Sequence, residues 1–213
     1  MSVGRWARRA LGERWFPLVG AWYRSLFVNL EKVADSVPPV PGDANILDVG
    51  GGDGAVLNVV LGRHPAARAV MIDLGASIGS SLAPDRASRV RLLPQTSMND
   101  YGRLGMERPD LIIISDVLHH VPVAERRTFF SDLRALIAGG ATTIFFKDVE
   151  PGSWRATAGY LADRYVSGDR RVELVGQVAV RALLEEAFPG ATFQPTDLFR
   201  RDPPNYALTC RVG

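Results

Sequence analysis

Residues Ile46-Leu47-Asp48-Val49-Gly50-Gly51-Gly52-Asp53-Gly54 constrain this chain more than any other stretch. A short apolar run ends in four glycines within five positions, and Ala55–Leu61 then takes up helical spacing. Glycine at a strand-to-helix turn lets the backbone reverse tightly and lets a ligand approach where a Cβ would intrude. Asp73 closes the next apolar run, 21 residues beyond Gly52. At the end of a second parallel strand, a carboxylate at that spacing can accept hydrogen bonds from both hydroxyls of a ribose. The pair points to an adenosine-type ligand in the crevice at the carboxyl ends of the strands.

The rest of the chain repeats this alternation. Strands are expected at Asn45–Val49, Arg68–Asp73, Arg89–Leu93, Asp110–Ser115, Thr142–Val149, Thr192–Phe199 and Tyr206–Arg211. Helices are expected at Ala55–Leu61, Val123–Ile137 and Gln177–Phe188. Strands alternating with helices imply a mostly parallel sheet covered on both faces. Arg200–Asn205 is too short for a crossover helix, so the last strand must run antiparallel to the one before it. The expected fold is therefore α/β: a doubly wound, Rossmann-like, seven-stranded, mostly parallel sheet with an antiparallel last strand, plus an N-terminal helical cap.

That cap is set off by Val37-Pro38-Pro39-Val40-Pro41-Gly42, which no continuous helix can cross. Residues 1–42 form the extension and 43–213 the ligand-binding domain. Trp15, Val19, Trp22, Leu26, Leu30 and Val33 recur at helical spacing, with Pro17 suited to the first turn and a shorter basic helix at Val3–Leu11 before them.

Net charge is +2 over 213 residues, so no global charge argues for a nucleic-acid partner. The single cysteine, Cys210, excludes an internal disulfide and a cysteine-rich metal site, and no metal is expected. No apolar run is long enough to span a bilayer, and the amino terminus lacks a signal-peptide pattern, so a cytoplasmic location is expected. The basic, aromatic amino-terminal stretch is compatible with peripheral membrane contact. A homodimer is also compatible with the sequence.

Gly50-Gly51-Gly52-Asp53-Gly54-Ala55 also satisfies the dinucleotide pattern G-x-G-x-x-A, which keeps an NAD(P)-binding oxidoreductase as a rival. Asp48 stands against it, since a carboxylate inside the turn repels a pyrophosphate and supports a cationic ligand. No Tyr-x-x-x-Lys pair is present to serve hydride transfer. Asp48, Gly50, Gly52 and Gly54 resemble motif I of the class I S-adenosylmethionine-dependent methyltransferases of small-molecule type, and Asp73 matches that family's ribose-binding acid. Ser115-Asp116-Val117-Leu118-His119-His120-Val121-Pro122 is similar to the segment that many small-molecule members carry after the fourth strand. The resemblance runs from about Asn45 to Gly213 and implies S-adenosyl-L-methionine as cofactor. It assigns Asp48, Gly50, Gly51, Gly52, Asp73, Leu74, Thr96, Ser97, Met98 and Ser115 to cofactor binding. Many members place Gly-Asp at the adenine, whereas this chain has Gln95-Thr96-Ser97-Met98.

Methyl transfer needs alignment, exclusion of water and, for a protonated nucleophile, a base. His119 and His120 follow the fourth strand and Asp148 the fifth, which makes them the candidate catalytic residues. The plainer alternative has one histidine packed under the cofactor, the other capping the helix near Pro122, and Lys147-Asp148 paired as a salt-bridged strand end. Residues 1–42 and Pro151–Gly176 are left to form an acceptor pocket, with Trp22, Trp154, Arg155 and Tyr160 as candidate substrate contacts. Asp202-Pro203-Pro204-Asn205-Tyr206 resembles the proline motif of amino-group methyltransferases, but its place between the last two strands marks it as a turn. The function expected is methylation of oxygen or nitrogen on a small-molecule acceptor. An RNA or protein methyltransferase and a non-catalytic cofactor-binding subunit are the alternatives.

Overall fold

The computed structural model describes residues 30–137, 140–152, 173–195 and 205–213. Its centre is a seven-stranded sheet in the order β3-β2-β1-β4-β5-β7-β6. Strand β1 (Asn45–Val49) pairs in parallel with β2 (Arg68–Asp73) on one side and β4 (Leu111–Ser115) on the other. Strand β3 (Val90–Pro94) continues the parallel pairing beyond β2, and β5 (Thr142–Val149) continues it beyond β4. Strand β7 (Asn205–Val212) enters between β5 and the edge strand β6 (Thr192–Pro195) and is antiparallel to both. The expected antiparallel last strand is thus present, and it is an interior strand. The residues 196–199 expected to prolong β6 lie outside the described residues, as do Asp202, Pro203 and Pro204.

Strand parity divides the core into two layers, because successive side chains of a strand point to opposite faces. Leu47, Val49, Ile112, Ile114, Ile144 and Phe146 face α5 (Arg126–Leu136) and α6 (Gln177–Ala187). Ile46, Met71, Ile113 and Phe145 face α1 (Leu30–Ser36) and α2 (Ala55–Arg63). Leu111, Ile112, Ile113 and Ile114 are wholly buried. A continuous aliphatic run of this kind suits a central strand covered twice, and each such side chain stabilises the fold by about 1.5–3 kcal/mol.

Local chemistry sets the boundaries. Helix α1 stops before the prolines, with Ser36 Oγ donating to the Val33 carbonyl at 2.6 Å. Val33 and Ala34 bury its inner face against α2. The amino-terminal helix expected from Val3 and the stripe from Trp15 to Leu26 lie outside the described residues. Strand β3 begins at Val90, and just before it the Arg89 guanidinium closes the end of α2, donating to the carbonyls of Leu61, His64 and Ala67. The helix expected from Val123 opens instead with a 3₁₀ turn, Val123–Glu125, and becomes α-helical only at Arg126. Two short helices, α3 (Pro84–Ala87) and α4 (Met98–Gly102), are too brief to show a hydrophobic period in the sequence. Among the described residues, no helix is long and apolar enough to cross a membrane.

Candidate active site

The chain leaves β1 for β2, while β4 flanks β1 on its other side. The loops after β1 and β4 therefore part at the carboxyl edge of the sheet and open a crevice. Gly50 and Gly52 line it with φ of +67° and +56°, in the left-handed region that side chains disfavour. A Cβ on Gly50 would lie 2.6 Å from Val117 Cγ2, so glycine there lets the turn after β4 pack against the loop. A Cβ on Gly52 would meet nothing within 4 Å, which leaves open space over the loop. Asp73 ends β2 beside it. One carboxylate oxygen accepts from Gly52 N–H at 2.9 Å and the other from Gly75 N–H at 2.6 Å. Leu74 stands next to it, 77% exposed.

Asp48 lies beneath this loop, buried, with Oδ2 lacking any hydrogen-bond partner. Burial foremost, and then the charges of Asp73 and Asp53, push its carboxyl up to about 7. A buried carboxyl without a partner is costly in its charged form, so burial favours the protonated carboxyl.

The Gln95–Met98 segment, expected from the sequence at an adenine, follows β3 beside Asp73. Gln95 takes a φ of +53°, and the N–H of Thr96 donates to the Asp73 carbonyl at 3.0 Å. Ser97 caps α4 through a reciprocal box with Asp100. Met98 is buried in the core with Leu47 and Ile112. Of the four, Gln95 and Thr96 keep the loop positions next to Asp73.

Across the crevice lies a group of ionisable side chains. His119 is buried in the 3₁₀ turn Leu118–His120, and its Nδ1 is 2.6 Å from Oδ1 of the fully buried Asp148 at the end of β5. Asp148 Oδ1 also accepts from Val149 N–H at 2.7 Å, while Oδ2 has no hydrogen-bond partner. The exposed His120 ring lies 4.2 Å from that of His119, centroid to centroid. Two contacts fix the turn from behind. Glu173 N–H donates to the His119 carbonyl at 2.9 Å, and Arg126 bridges the carbonyls of Val121 and Glu173. Tyr206, opposite Asp148 in the sheet, donates to the Val175 carbonyl at 2.9 Å. Burial first, then the charge of Asp148, raises its hydroxyl far above the usual range, so it remains a donor.

Asp48, Gly50, Gly51, Gly52, Asp73, Leu74 and Thr96 thus gather on the β1–β2 side, and Ser115, His119 and Asp148 on the β4–β5 side. Trp22, Trp154, Arg155 and Tyr160 lie outside the described residues. Two alternatives weighed from the sequence need correction. Lys147 does not pair with Asp148, since neighbours on a strand face opposite ways; its ammonium pairs with Asp116, and His119 takes Asp148. Neither histidine caps the following helix, because the 3₁₀ turn opens from Pro122 and no side chain caps it. Sequence reasoning named Asp116 and Lys147 without pairing them, and it missed Arg126 and Glu173. A fully buried lysine at a strand end had one visible signal: Lys147 follows five residues of an unbroken strand pattern.

No protein-family model matches the chain, and no curated protein matches it. Solved structures do. Human N-acetylserotonin methyltransferase, solved with S-adenosylmethionine, is 17% identical, with a TM-score of 0.65 over 97% of this chain and 58% of its own. An O-methyltransferase family 2 protein from Planctomyces limnophilus, solved with apigenin, is 18% identical, with a TM-score of 0.63 over 86% and 57%. A SAM-dependent methyltransferase from Archaeoglobus fulgidus is 13% identical, with a TM-score of 0.57 over 97% of each chain. The chain spans little more than half the length of the first two. Seven strands in this order, with the glycine loop at the switch point, give the chain the Rossmann-like fold of the S-adenosylmethionine-dependent methyltransferases.

Proposed function

We propose that this protein transfers a methyl group from S-adenosylmethionine to a hydroxyl or amine of a small molecule, and does so in the cytoplasm. The observation that carries this proposal is the buried His119–Asp148 pair, set across the crevice from an open glycine loop. The structural neighbours bear methyltransferase names, and the single buried cysteine suits a reducing compartment.

The residues present fit the cofactor. Open space over Gly52 admits a ligand against the backbone, Asp73 at the rim offers a carboxylate to ribose hydroxyls, and Leu74 offers an apolar side chain beside it. The orphaned Asp48 oxygen beneath the loop favours a cationic ligand over a pyrophosphate, which weakens the dinucleotide alternative. When bound, S-adenosylmethionine supplies a methyl group activated by the positive charge on sulfur.

The chain's own part is alignment and proton removal. Asp148 accepts the Nδ1–H of His119, which fixes the tautomer and makes Nε2 the basic nitrogen. The acceptor's proton passes to Nε2, and the neighbouring carboxylate stabilises the imidazolium that forms. Such a base contributes about 10²–10⁴-fold, and alignment contributes up to ~7–11 kcal/mol. Residues 1–42, with Trp22, and the Pro151–Gly176 segment, with Trp154, Arg155 and Tyr160, are assigned to the acceptor pocket beside the 43–213 domain. His120, exposed beside His119, is assigned to the pocket wall.

Calorimetric titration with S-adenosylhomocysteine, S-adenosylmethionine and NAD tests the cofactor, and radiolabelled transfer to a library of phenols and amines tests the reaction. Tight NAD binding without a response to S-adenosylhomocysteine overturns the proposal.

A further inference from the structure

Asp116 is held more firmly than a loop residue after a strand needs to be. Lys147 Nζ, wholly buried, lies 2.5 and 2.7 Å from its two carboxylate oxygens. Ser115 Oγ donates to Oδ2 at 3.1 Å, and the Asp116 N–H donates to the Lys147 carbonyl at 2.9 Å. These contacts keep the residue at a φ of +59°, a conformation that a non-glycine residue retains only where its surroundings over-determine it. Burial by itself would raise its carboxyl, but the charge and hydrogen bond of Lys147, with smaller help from His119 and Ser115, hold it below the usual range.

Clamped in this way, the Asp116 side chain still keeps 35% of its surface exposed. Its neighbour Val117 packs on Gly50, which sets it beside the glycine loop. Asp116, His119 and Asp148 each present a polar atom within 4.8 Å of the other two. One hydroxyl has a single proton to donate and cannot serve both His119 and Asp116 as acceptors, whereas two hydroxyls on adjacent carbons supply two. The charge balance narrows the choice further. Lys147 already neutralises Asp116, so the carboxylate offers acceptance to a neutral donor and little net attraction to a cation. A divalent ion held by the three residues would also have to displace the buried ammonium.

Resting on the methyl transfer proposed above, we infer that Asp116 determines specificity by accepting a hydrogen bond from a second hydroxyl, on the carbon next to the one bearing the reacting oxygen. Lys147 is its positioning residue. The acceptor class is then a vicinal dihydroxy compound such as a catechol, in preference to a monophenol.

The full-length protein loaded with S-adenosylhomocysteine provides the test. Calorimetry compares 4-methylcatechol with 4-methylphenol, and luteolin with apigenin, each pair differing by one ortho hydroxyl. The catechol member should bind at least about tenfold tighter, because a site built to bond a hydroxyl rejects the analogue lacking it. Asp116→Asn should bring the ratio to within about threefold. Lys147→Met should narrow it too, Lys147→Arg should preserve most of it, and the ratio of kcat/KM should follow in every case. Retained S-adenosylhomocysteine affinity and near-ultraviolet dichroism verify that each variant is folded, and if Lys147→Met unfolds, Asp116→Asn decides. Failure of the parent to bind S-adenosylhomocysteine overturns the methyltransferase proposal itself. Binding of the cofactor product with no preference for the catechols, or with neither phenol bound, overturns only this inference. A preference that survives in Asp116→Asn, or one that appears only on adding magnesium or zinc ions, overturns it as well.

Discussion

The two sides of the crevice handle charge in opposite ways. On the β1–β2 side, Asp48 and Asp73 have no ion-pair partner among the described residues; Asp73 is bonded only to backbone N–H groups, and one oxygen of Asp48 is bonded to nothing. On the β4–β5 side Asp116 is paired with Lys147 and Asp148 with His119, although Asp148 Oδ2, like Asp48 Oδ2, has no hydrogen-bond partner. The first arrangement awaits a ligand that brings its own positive charge. The second holds cationic or basic partners of its own, Lys147 and His119, and suits a neutral acceptor whose proton must be moved. The division of labour proposed for the site follows from this contrast, and mutations on one side should leave the other nearly intact.

The sharpest break is expected at His119. His119→Ala should lower kcat by about 10²–10⁴-fold and leave S-adenosylhomocysteine affinity unchanged by calorimetry. Asp148→Asn should do the same to a lesser extent by releasing the tautomer. Equal loss of affinity and turnover would mean that the two sides are one unit.

Stability should separate the members of the Asp116–Lys147 pair. Asp116→Ala strands a wholly buried ammonium, for which about 3–5 kcal/mol is typical. Lys147→Met leaves Asp116 with solvent and Ser115 and should cost less. Urea denaturation of the two variants measures the difference, and an equal loss would show that Lys147 is solvated in the folded protein.

Asp73→Ala comes next. It removes acceptors for two ribose hydroxyls and also the acceptor of the Gly52 N–H. At about 1.5–3 kcal/mol per charge-assisted bond, affinity for S-adenosylhomocysteine should fall more than about tenfold, while the His119–Asp148 side keeps its geometry. An unchanged dissociation constant would place the ribose elsewhere.

How much of this was legible in the sequence follows from the range of the interactions. The strands β1, β2, β4 and β5 and the glycine loop are written in consecutive residues, so an unbroken apolar run such as Leu111–Ile114 announces itself. Helix α4 was also readable in principle, because Ser97 and Asp100 stand at capping-box spacing. The pairing of Asp116 with Lys147 across 31 residues, and of Arg126 with Glu173 across 47, depends on which strands become neighbours. No local pattern encodes that. The interior place of β7 was hidden for the same reason: a hairpin fixes its antiparallel sense to β6 but does not say which of the two reaches β5.

Asp48 gives the smallest and most diagnostic effect. Its carboxyl lies at about 7 in the folded protein against 3.8 for an ordinary aspartate, burial being the main cause. Between these values the folded state holds a proton that the unfolded chain has released, so stability falls as pH rises through that window and levels off above about 7. The slope from this group is at most ~1.4 kcal/mol per pH unit. Asp48→Asn should remove it, and thermal unfolding of the variant should gain on the parent steadily from pH 4 to 7. Ligand binding should show the opposite sign. A cation in the crevice favours the ionised carboxylate, so affinity for S-adenosylmethionine should climb as pH rises towards 7 and flatten above it, by up to about tenfold per unit. S-adenosylhomocysteine, without the sulfonium charge, should show a shallower climb. Calorimetry at pH 6.5 in two buffers of different ionisation enthalpy should detect a proton released on binding S-adenosylmethionine and none in Asp48→Asn. If the parent releases no proton, the buried carboxyl is structural, and the readiness of the β1–β2 side for a cation rests on Asp73 alone.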